Sequence, residues 1–362
     1  VGSGIFIGMF FLTVKTKAVS LSIIPFFVLM VFFSTVNAGS WDFSLNREEI
    51  ISQDPPVRWG LSAINACGAW KITKGSEKIV VAVIDSGIDF AVDLLNNQIW
   101  INNGEIPGDS KDNDGNGYID DLHGWDFWDD DSSSTVGTGI NYHGTFVAGI
   151  VASSLDRSTG TGGVAPNVKL MDLRVLDGRG HLYINNWGNL VEAIEYAVEN
   201  GAKIINLSIY PTLTPPEFVH TAIKEAVQRG VLVVGIAGNG GDNVQHFGRW
   251  KEVLTVGAID KGGNPWGYSN HGLTVDVVAP GVDILSVVPG GRAERHSGTS
   301  FAAAHVAGAA ALVLSIRSNI PVCELKEILQ QSATDLMGAG YDPQTGYGLV
   351  NVEKALKIAQ SD

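Results

Sequence analysis

The sequence predicts an α/β protein, a doubly wound, mainly parallel sheet with helices on both faces. Three observations carry that prediction. Short runs rich in Val, Ile and Leu alternate with longer stretches of helical pattern, the order that crossovers between parallel strands require. The runs are apolar at successive positions rather than at every second one, as expected where both faces of a strand are covered. A chain of 362 residues with 45% apolar content, without an internal repeat or a long low-complexity linker, can bury one large core.

Residues 1–38 stand outside that core. Lys15 and Lys17 precede an uncharged apolar stretch over 18–33, and Val36-Asn37-Ala38 supplies small residues suited to signal peptidase, so a cleaved signal peptide and export are expected. Residues 18–36 are also just long enough to span a bilayer, which makes an uncleaved anchor the alternative. Met9 followed by this leader would also make a conventional signal peptide. Residues 39–55 read as a short extension, and the folded domain as 56–362 with no accessory domain after it.

Within the domain, residues 79–84 (IVVAVI) read as a strand buried on both faces, ended by Asp85-Ser86-Gly87. Residues 143–151 open a helix, with His143 in its first turn near the positive end of the helix dipole. Residues 169–176, 203–207 and 231–234 read as further strands, and 184–199 and 216–229 as the helices between them. Ser297-Gly298-Thr299-Ser300 runs into 301–312, small residues of mostly high helix propensity, so Ser300 sits at a helix N-terminus whose N–H groups are free to bind an anion. Residues 352–359 form a last helix.

Asp85, His143 and Ser300 each have an ordinary reading taken singly: a strand-end cap, a surface histidine, an N-cap. Together they offer a carboxylate, an imidazole and a hydroxyl, the set that nucleophilic hydrolysis uses. With them come long blocks: VAVIDSGID at 81–89, HGT at 143–145, GVAP at 163–166, INLS at 205–208, AGN at 237–239, VAPG at 278–281 and GTS at 298–300. In that order the chain closely resembles the subtilisin-like serine peptidases, or subtilases, over about residues 56–358. The resemblance implies a three-layer subtilisin-like fold and an endopeptidase acting on peptides or proteins. Ser300 would be the nucleophile, His143 the general base and acid, Asp85 its orienting partner, and Asn239 with the Ser300 N–H the oxyanion hole. Ile209, Tyr210, Ile236, Gly238, Gly178 and Gly180 would line the substrate site. Family members commonly carry a folded pro-domain before the peptidase, and residues 39–55 are too few for one.

The net charge of −14 is concentrated. Between residues 105 and 131 there are ten acids and one base, Lys111, a local sum of −9. Asp112, Asp114, Asn116, Tyr118, Asp120 and Asp121 place oxygen donors at alternate positions around Gly115 and Gly117, in the manner of a calcium loop, so a structural Ca²⁺ is expected. The twelfth loop position is His123, so a closing carboxylate has to come from Asp120, Asp121 or elsewhere. Trp125, Phe127 and Trp128 read as an apolar anchor for the insert. A second calcium site usual in the family is opposed by Arg157, although Asp93 matches one of its ligands. Cys67 and Cys323, far apart in sequence, read as two buried free thiols, with the disulfide that export would permit as the alternative, and neither reads as catalytic.

Four residues depart from the family pattern around the site. Phe301 stands for methionine, Ala304 for proline, Tyr210 for glycine and Ile236 for something smaller; the last two would narrow the pocket for the residue before the cut. Phe146, where a second histidine is frequent, reads as core packing. Ala304 leaves a peptide ligase or cyclase of the same fold open, and Tyr210 a catalytically idle peptide-binding module. No nucleic-acid partner is expected of so acidic a chain, and a monomer is.

Overall fold

The computed structural model describes residues 59–132, 141–156 and 158–361. The expected leader, the extension and Arg157 lie outside the described residues. Seven parallel strands form the main sheet: β1 (Val80–Asp85), β2 (Gly124–Asp126), β3 (Lys169–Arg174), β4 (Ile204–Leu207), β5 (Leu232–Ile236), β6 (Val253–Ile259) and β7 (Val277–Pro280), in the order β2-β3-β1-β4-β5-β6-β7. A hairpin, β8 (Ile284–Val287) with β9 (Ala293–His296), pairs antiparallel beside it. The helices are α1 (Trp59–Ala63), α2 (Ala66–Ala69), α3 (His143–Ala152), α4 (Trp187–Glu199), α5 (Glu217–Gln228), α6 (Thr299–Ile316), α7 (Val322–Ser332) and α8 (Val352–Ser361).

Successive residues of β1 point to opposite faces, so the sheet separates two cores. Val81 and Val83 pack with α3, α6 and the C-terminal helices. Val80, Ala82 and Ile84 pack with α4 and α5 and with Trp125 and Phe127 of the insert. This is the predicted three-layer α/β architecture. Helix α6 is buried all round, from Thr299 through Leu314, which explains a composition of Ala, Gly, Val and Leu without a polar face. It is long and apolar enough to cross a membrane, yet here it is the core helix.

Element ends differ modestly from expectation. The first turn of the helix expected at 184–199 is a 3₁₀ turn over Ile184–Asn186, and α4 follows from Trp187. Strand β3 stops at Arg174, whose side chain is spent on ion pairs. Cys67 and Cys323 are exposed, which corrects the expectation of buried thiols. Cys67 lies on a four-residue helix and Cys323 in the first turn of α7, both on outward positions that no local pattern marks.

The topology decides where chemistry can occur. β1 ends in Asp85, Ser208 follows β4, Asn239 lies three residues beyond β5, and the loop after β3 runs beside them. All are carboxyl ends of neighbouring strands, where open α/β sheets form their binding crevice.

Candidate active site

Asp85 is completely buried at the end of the central strand. Its Oδ1 accepts the N–H of Ser86 at 2.7 Å, and both carboxylate oxygens face His143 Nδ1, at 2.8 and 2.9 Å. Ser86 ties this strand end to helix α3, since its hydroxyl accepts from Gly144 N–H at 3.0 Å and donates to the Asn141 carbonyl at 3.2 Å. Asn141 Oδ1 in turn accepts the His143 N–H. The helix can come this close only because residue 144 is glycine: a Cβ there would lie 2.4 Å from the Gly87 carbonyl oxygen. The imidazole is thus set by two backbone anchors and one carboxylate.

Electrostatics follow from this geometry. Burial disfavours the imidazolium, but the charge and hydrogen bond of Asp85 outweigh it, and the His143 pKa is raised above the ordinary histidine value. Behind the ring lies an aromatic wall. Phe301 approaches His143 with centroids 5.7 Å apart, Phe146 packs on Phe301 at 4.6 Å, and Tyr142 stacks on His296 at 4.1 Å. Phe146 is fully buried, as its core reading required.

Ser300 is the second residue of α6, and its hydroxyl donates to the Ser208 carbonyl at 3.4 Å. Ser208 returns a hydrogen bond from its own hydroxyl to the Ser300 carbonyl at 3.2 Å and receives one from Asn206 Nδ2 at 2.9 Å. Asn239 is oriented by Thr299, whose N–H and hydroxyl both donate to Asn239 Oδ1, at 2.9 and 2.8 Å. With its oxygen held by two donors, the amide leaves its N–H₂ to donate elsewhere.

His143, Ser300 and Asn239 line one cleft of about 670 Å³, together with Ile209, Tyr210, Ile236 and Gly180. Gly178 is exposed in the adjoining turn and is not part of the lining. Gly238 lies beneath Tyr210: it has a φ of 109°, and a Cβ there would meet Tyr210 Cε2 at 2.4 Å. The Tyr210 ring also meets His246 edge-on at 4.9 Å. Sequence reasoning missed the opposite wall, Leu176, Leu182, Tyr183 and Ile184, and the outer residues Thr212 and Leu213. The apolar run Leu182-Tyr183-Ile184, separated from the Gly178-Arg179-Gly180 turn by His181, was the available signal.

This arrangement can present a hydroxyl to a carbonyl carbon, remove its proton through an oriented imidazole, and offer an uncharged amide donor to the oxygen that becomes negative. The chain belongs to the subtilase family. The sequence model of the Peptidase_S8 subtilase family matches residues 76–348. Thermophilic serine proteinase of Bacillus sp. (strain AK1) is 36% identical over 293 residues, 80% of this chain and 64% of that relative, so the chain spans just under two thirds of its length. Subtilisin BL of Lederbergia lenta is 34% identical over 304 residues, 83% of this chain and 99% of the relative. Alkaline elastase YaB of Bacillus sp. (strain YaB) is 34% identical over 302 residues, 83% of this chain and 70% of its own. By family the chain is a serine-type endopeptidase, a hydrolase of peptide bonds.

The acidic insert brings together carboxylates that the loop pattern only partly names. Oxygens of Glu105, Asp112 and Asp114 all lie within 4.8 Å of one another. Glu105 is buried, and its Oε1 accepts the N–H groups of Asn113 and Asp114. Asp112 accepts N–H groups from Gly117, Gly115 and Asn116, which hold its pKa below the usual carboxylate range. Asn116 donates its amide to Asp114 and Asp121, and Asp121, fully buried, also accepts from Tyr196 and Asn102. Asp120 turns the other way and accepts from Gly108 and Ser110. The Tyr118 ring packs against Trp125 and Tyr196, both at 5.0 Å, and Phe127 at 5.7 Å, so Trp125 and Phe127 anchor the insert. Trp128 packs instead on Tyr183 of the cleft wall, at 5.7 Å. Converging hard oxygens fit a divalent cation of the calcium type, whose charge would offset their mutual repulsion. At the other expected site, Asp93 is exposed and Arg157 is not among the described residues.

Proposed function

We propose that the chain is an exported endopeptidase working through Ser300, His143 and Asp85. The observation that carries this reading is the paired contact of His143 Nδ1 with both Asp85 oxygens at a cleft that Ser300 and Asn239 also line. Ser300 Oγ attacks the scissile carbonyl while His143 Nε2 takes its proton. Asn239 Nδ2 and the Ser300 N–H hold the oxyanion, and His143 then protonates the leaving amine. Water repeats the sequence on the acyl-enzyme, regenerating the hydroxyl. Asp85 keeps Nδ1 protonated and stabilises the imidazolium throughout.

Tyr210 and Ile236 restrict the pocket before the cut, which favours small side chains there. The resemblance to a relative named an elastase fits that preference. A Ca²⁺ held by Glu105, Asp112 and Asp114, with Asn116, Tyr118 and Asp121 contributing to the loop, would act structurally; among the expected ligands, Asp120 is engaged with the 108–110 turn. Export rests on the leader at 1–38. Ala304 is buried within α6 and does not line the cleft, so no specific contact favours a ligase.

The decisive experiment combines a serine-directed fluorophosphonate with hydrolysis of a peptide mixture. Labelling at Ser300 and peptide cleavage, both abolished by Ser300→Ala, are expected. Cleavage that survives Ser300→Ala, or a protein that neither labels nor cleaves, refutes the reading.

A further inference from the structure

The chain carries a formal charge of −14, yet none of the described residues lining the cleft is a carboxylate. Among the described residues the lining holds one permanently charged side chain, Arg179, with His143 and His181 as the other basic groups. Among the described residues Arg179, which is exposed, forms no ion pair within 4 Å, whereas the buried Arg174 beside the cleft is engaged with Asp126 and Asp129. Residues 133–140, which lie next to the cleft residues 141–143 in sequence, contain no charged side chain.

The turn that presents Arg179 is built rather than loose. Asp177 Oδ1 accepts the N–H groups of Arg179 and His181, at 2.9 and 2.8 Å, and its Oδ2 accepts the Tyr183 hydroxyl at 3.0 Å. Main-chain bonds from Asp177 N–H to the His181 carbonyl and from Gly180 N–H to the Asp177 carbonyl close it. Asp177 is therefore spent on its own loop, and its carboxylate, drawn below the usual range by these bonds, moderates the field of Arg179 without pairing to it. Trp128, packed on Tyr183, holds the same wall from behind. Of the acids near that Trp, Asp129 is paired with Arg174.

We propose that Arg179 is a specificity-determining residue that selects an acidic side chain on the substrate, at the position running over the 177–183 turn. The inference rests on the endopeptidase reading and deepens it. A carboxylate arriving within a few ångströms of the guanidinium gains a charge-assisted, potentially bidentate hydrogen bond. Among the described residues no carboxylate of the acidic insert pairs with Arg179 within 4 Å, Asp126 and Asp129 being engaged with Arg174, and salt screens the more distant charges. The near cation therefore decides local preference even though the whole protein is strongly negative. Because Arg179 is solvent-accessible, the effect has the size of an exposed ion pair, roughly 2- to 5-fold in kcat/KM.

The test uses peptides of one cleavable core in which Glu, Gln or Lys is placed in turn at each position on both sides of the cut. The readout is the ratio of kcat/KM for Glu over Lys within each protein. Wild type should prefer Glu at one position by about 5-fold, Arg179→Gln should bring that ratio to near one, and Arg179→Glu should invert it, an overall swing of up to about 25-fold. Raising the salt concentration should flatten the wild-type preference. A wild-type ratio near one at every position, or a preference that persists in Arg179→Gln, overturns the proposal. A parallel binding arm with Ser300→Ala measures Kd for the Glu and Lys peptides without hydrolysis. If that arm shows the Arg179-dependent preference while wild type cleaves nothing, the endopeptidase reading has failed and this one stands; equal Kd values sink it independently of catalysis.

Discussion

Tyr210→Gly should convert a restricted pocket into an open one. In the structure the Tyr210 ring lies on Gly238 and meets His246 edge-on, so on the proposed reading it occupies space that a large side chain before the cut would need. Burying a Phe side chain fully is worth about 1.5–3 kcal/mol. Tyr210 is itself 41% exposed, so the space it vacates is only partly enclosed and about six tenths of that gain is realistic, ~1–2 kcal/mol. At about 1.4 kcal/mol per decade, kcat/KM for cleavage after Phe should rise roughly 5- to 30-fold, while cleavage after Ala changes little. Tyr210→Phe should keep the block, because the hydroxyl makes only a long contact, 3.5 Å from Asn270 Nδ2. Cleavage-site profiling by mass spectrometry, followed by kinetics on matched Phe and Ala peptides, checks this, with thermal melting to show that each variant is folded. Wild-type cleavage after Phe as efficient as after Ala, or an unchanged Phe-to-Ala ratio in Tyr210→Gly, refutes the reasoning.

Asn239→Ala should lower kcat by about 10²–10³ with little effect on KM, since the oxyanion exists only beyond the ground state; single-peptide kinetics decide it, and an unchanged kcat removes Asn239 from the site. The acid limb of kcat/KM should lie above the ordinary histidine value, because Asp85 raises His143, and Asp85→Asn should move the limb downward as well as lowering the rate. By the same sign, the His143–Asp85 contact stabilises the fold below the unfolded histidine pKa and loses that contribution as pH rises through the raised one, which pH-dependent melting can follow. Chelation by EDTA should lower Tm, Ca²⁺ should restore it, and Asp114→Ala should abolish the response; superimposable melting curves with and without Ca²⁺ rule the ion out. Mild peroxide should leave activity nearly intact, since Phe301 offers no thioether beside His143, Met171 is buried and Met337 does not line the cleft, whereas Phe301→Met should introduce sensitivity in a residual-activity assay.

What the sequence disclosed is what local chemistry dictates. Asp85, His143 and Ser300 were legible because each sits where an element begins or ends, and the residue types at such ends are constrained by exposed backbone groups and close approach. The strands were legible because burial on both faces demands continuous apolar runs. Glu105 was missed as a partner of Asp112 and Asp114, because it lies seven residues upstream of Asp112 and reaches the loop only after the chain has turned back. The hairpin β8–β9 was missed because β9, Ala-Glu-Arg-His, has no apolar alternation; its place is fixed by β8 packing on α3, where Ser286 donates to the Phe146 carbonyl. The outward Cys67 and Cys323 were misread for a related reason, since a preference for burial says nothing about which way a short helix is turned.

The largest feature that local reading could not supply is the union of the acidic insert with the cleft. Arg174 ends β3 opposite Asp85 in register, one strand away from the proposed relay. Its Nη1 bonds Asp126 at 2.6 Å and Asp129 at 2.8 Å, while its Nε bonds the carbonyl of Leu176, which lines the cleft. Asp126 is fully buried, and burial pushes its pKa up despite the guanidinium, so this carboxylate is held at a cost that only an intact pair offsets. Breaking such a pair typically costs ~3–5 kcal/mol, a large share of the stability of a whole domain. Trp128 on Tyr183 adds a second tie between the same two segments. The buried arginine and the aromatic contact couple the insert to the cleft wall, so whatever orders the 105–131 loop also orders Leu176 and Tyr183, over which the proposed endopeptidase reading lays the peptide.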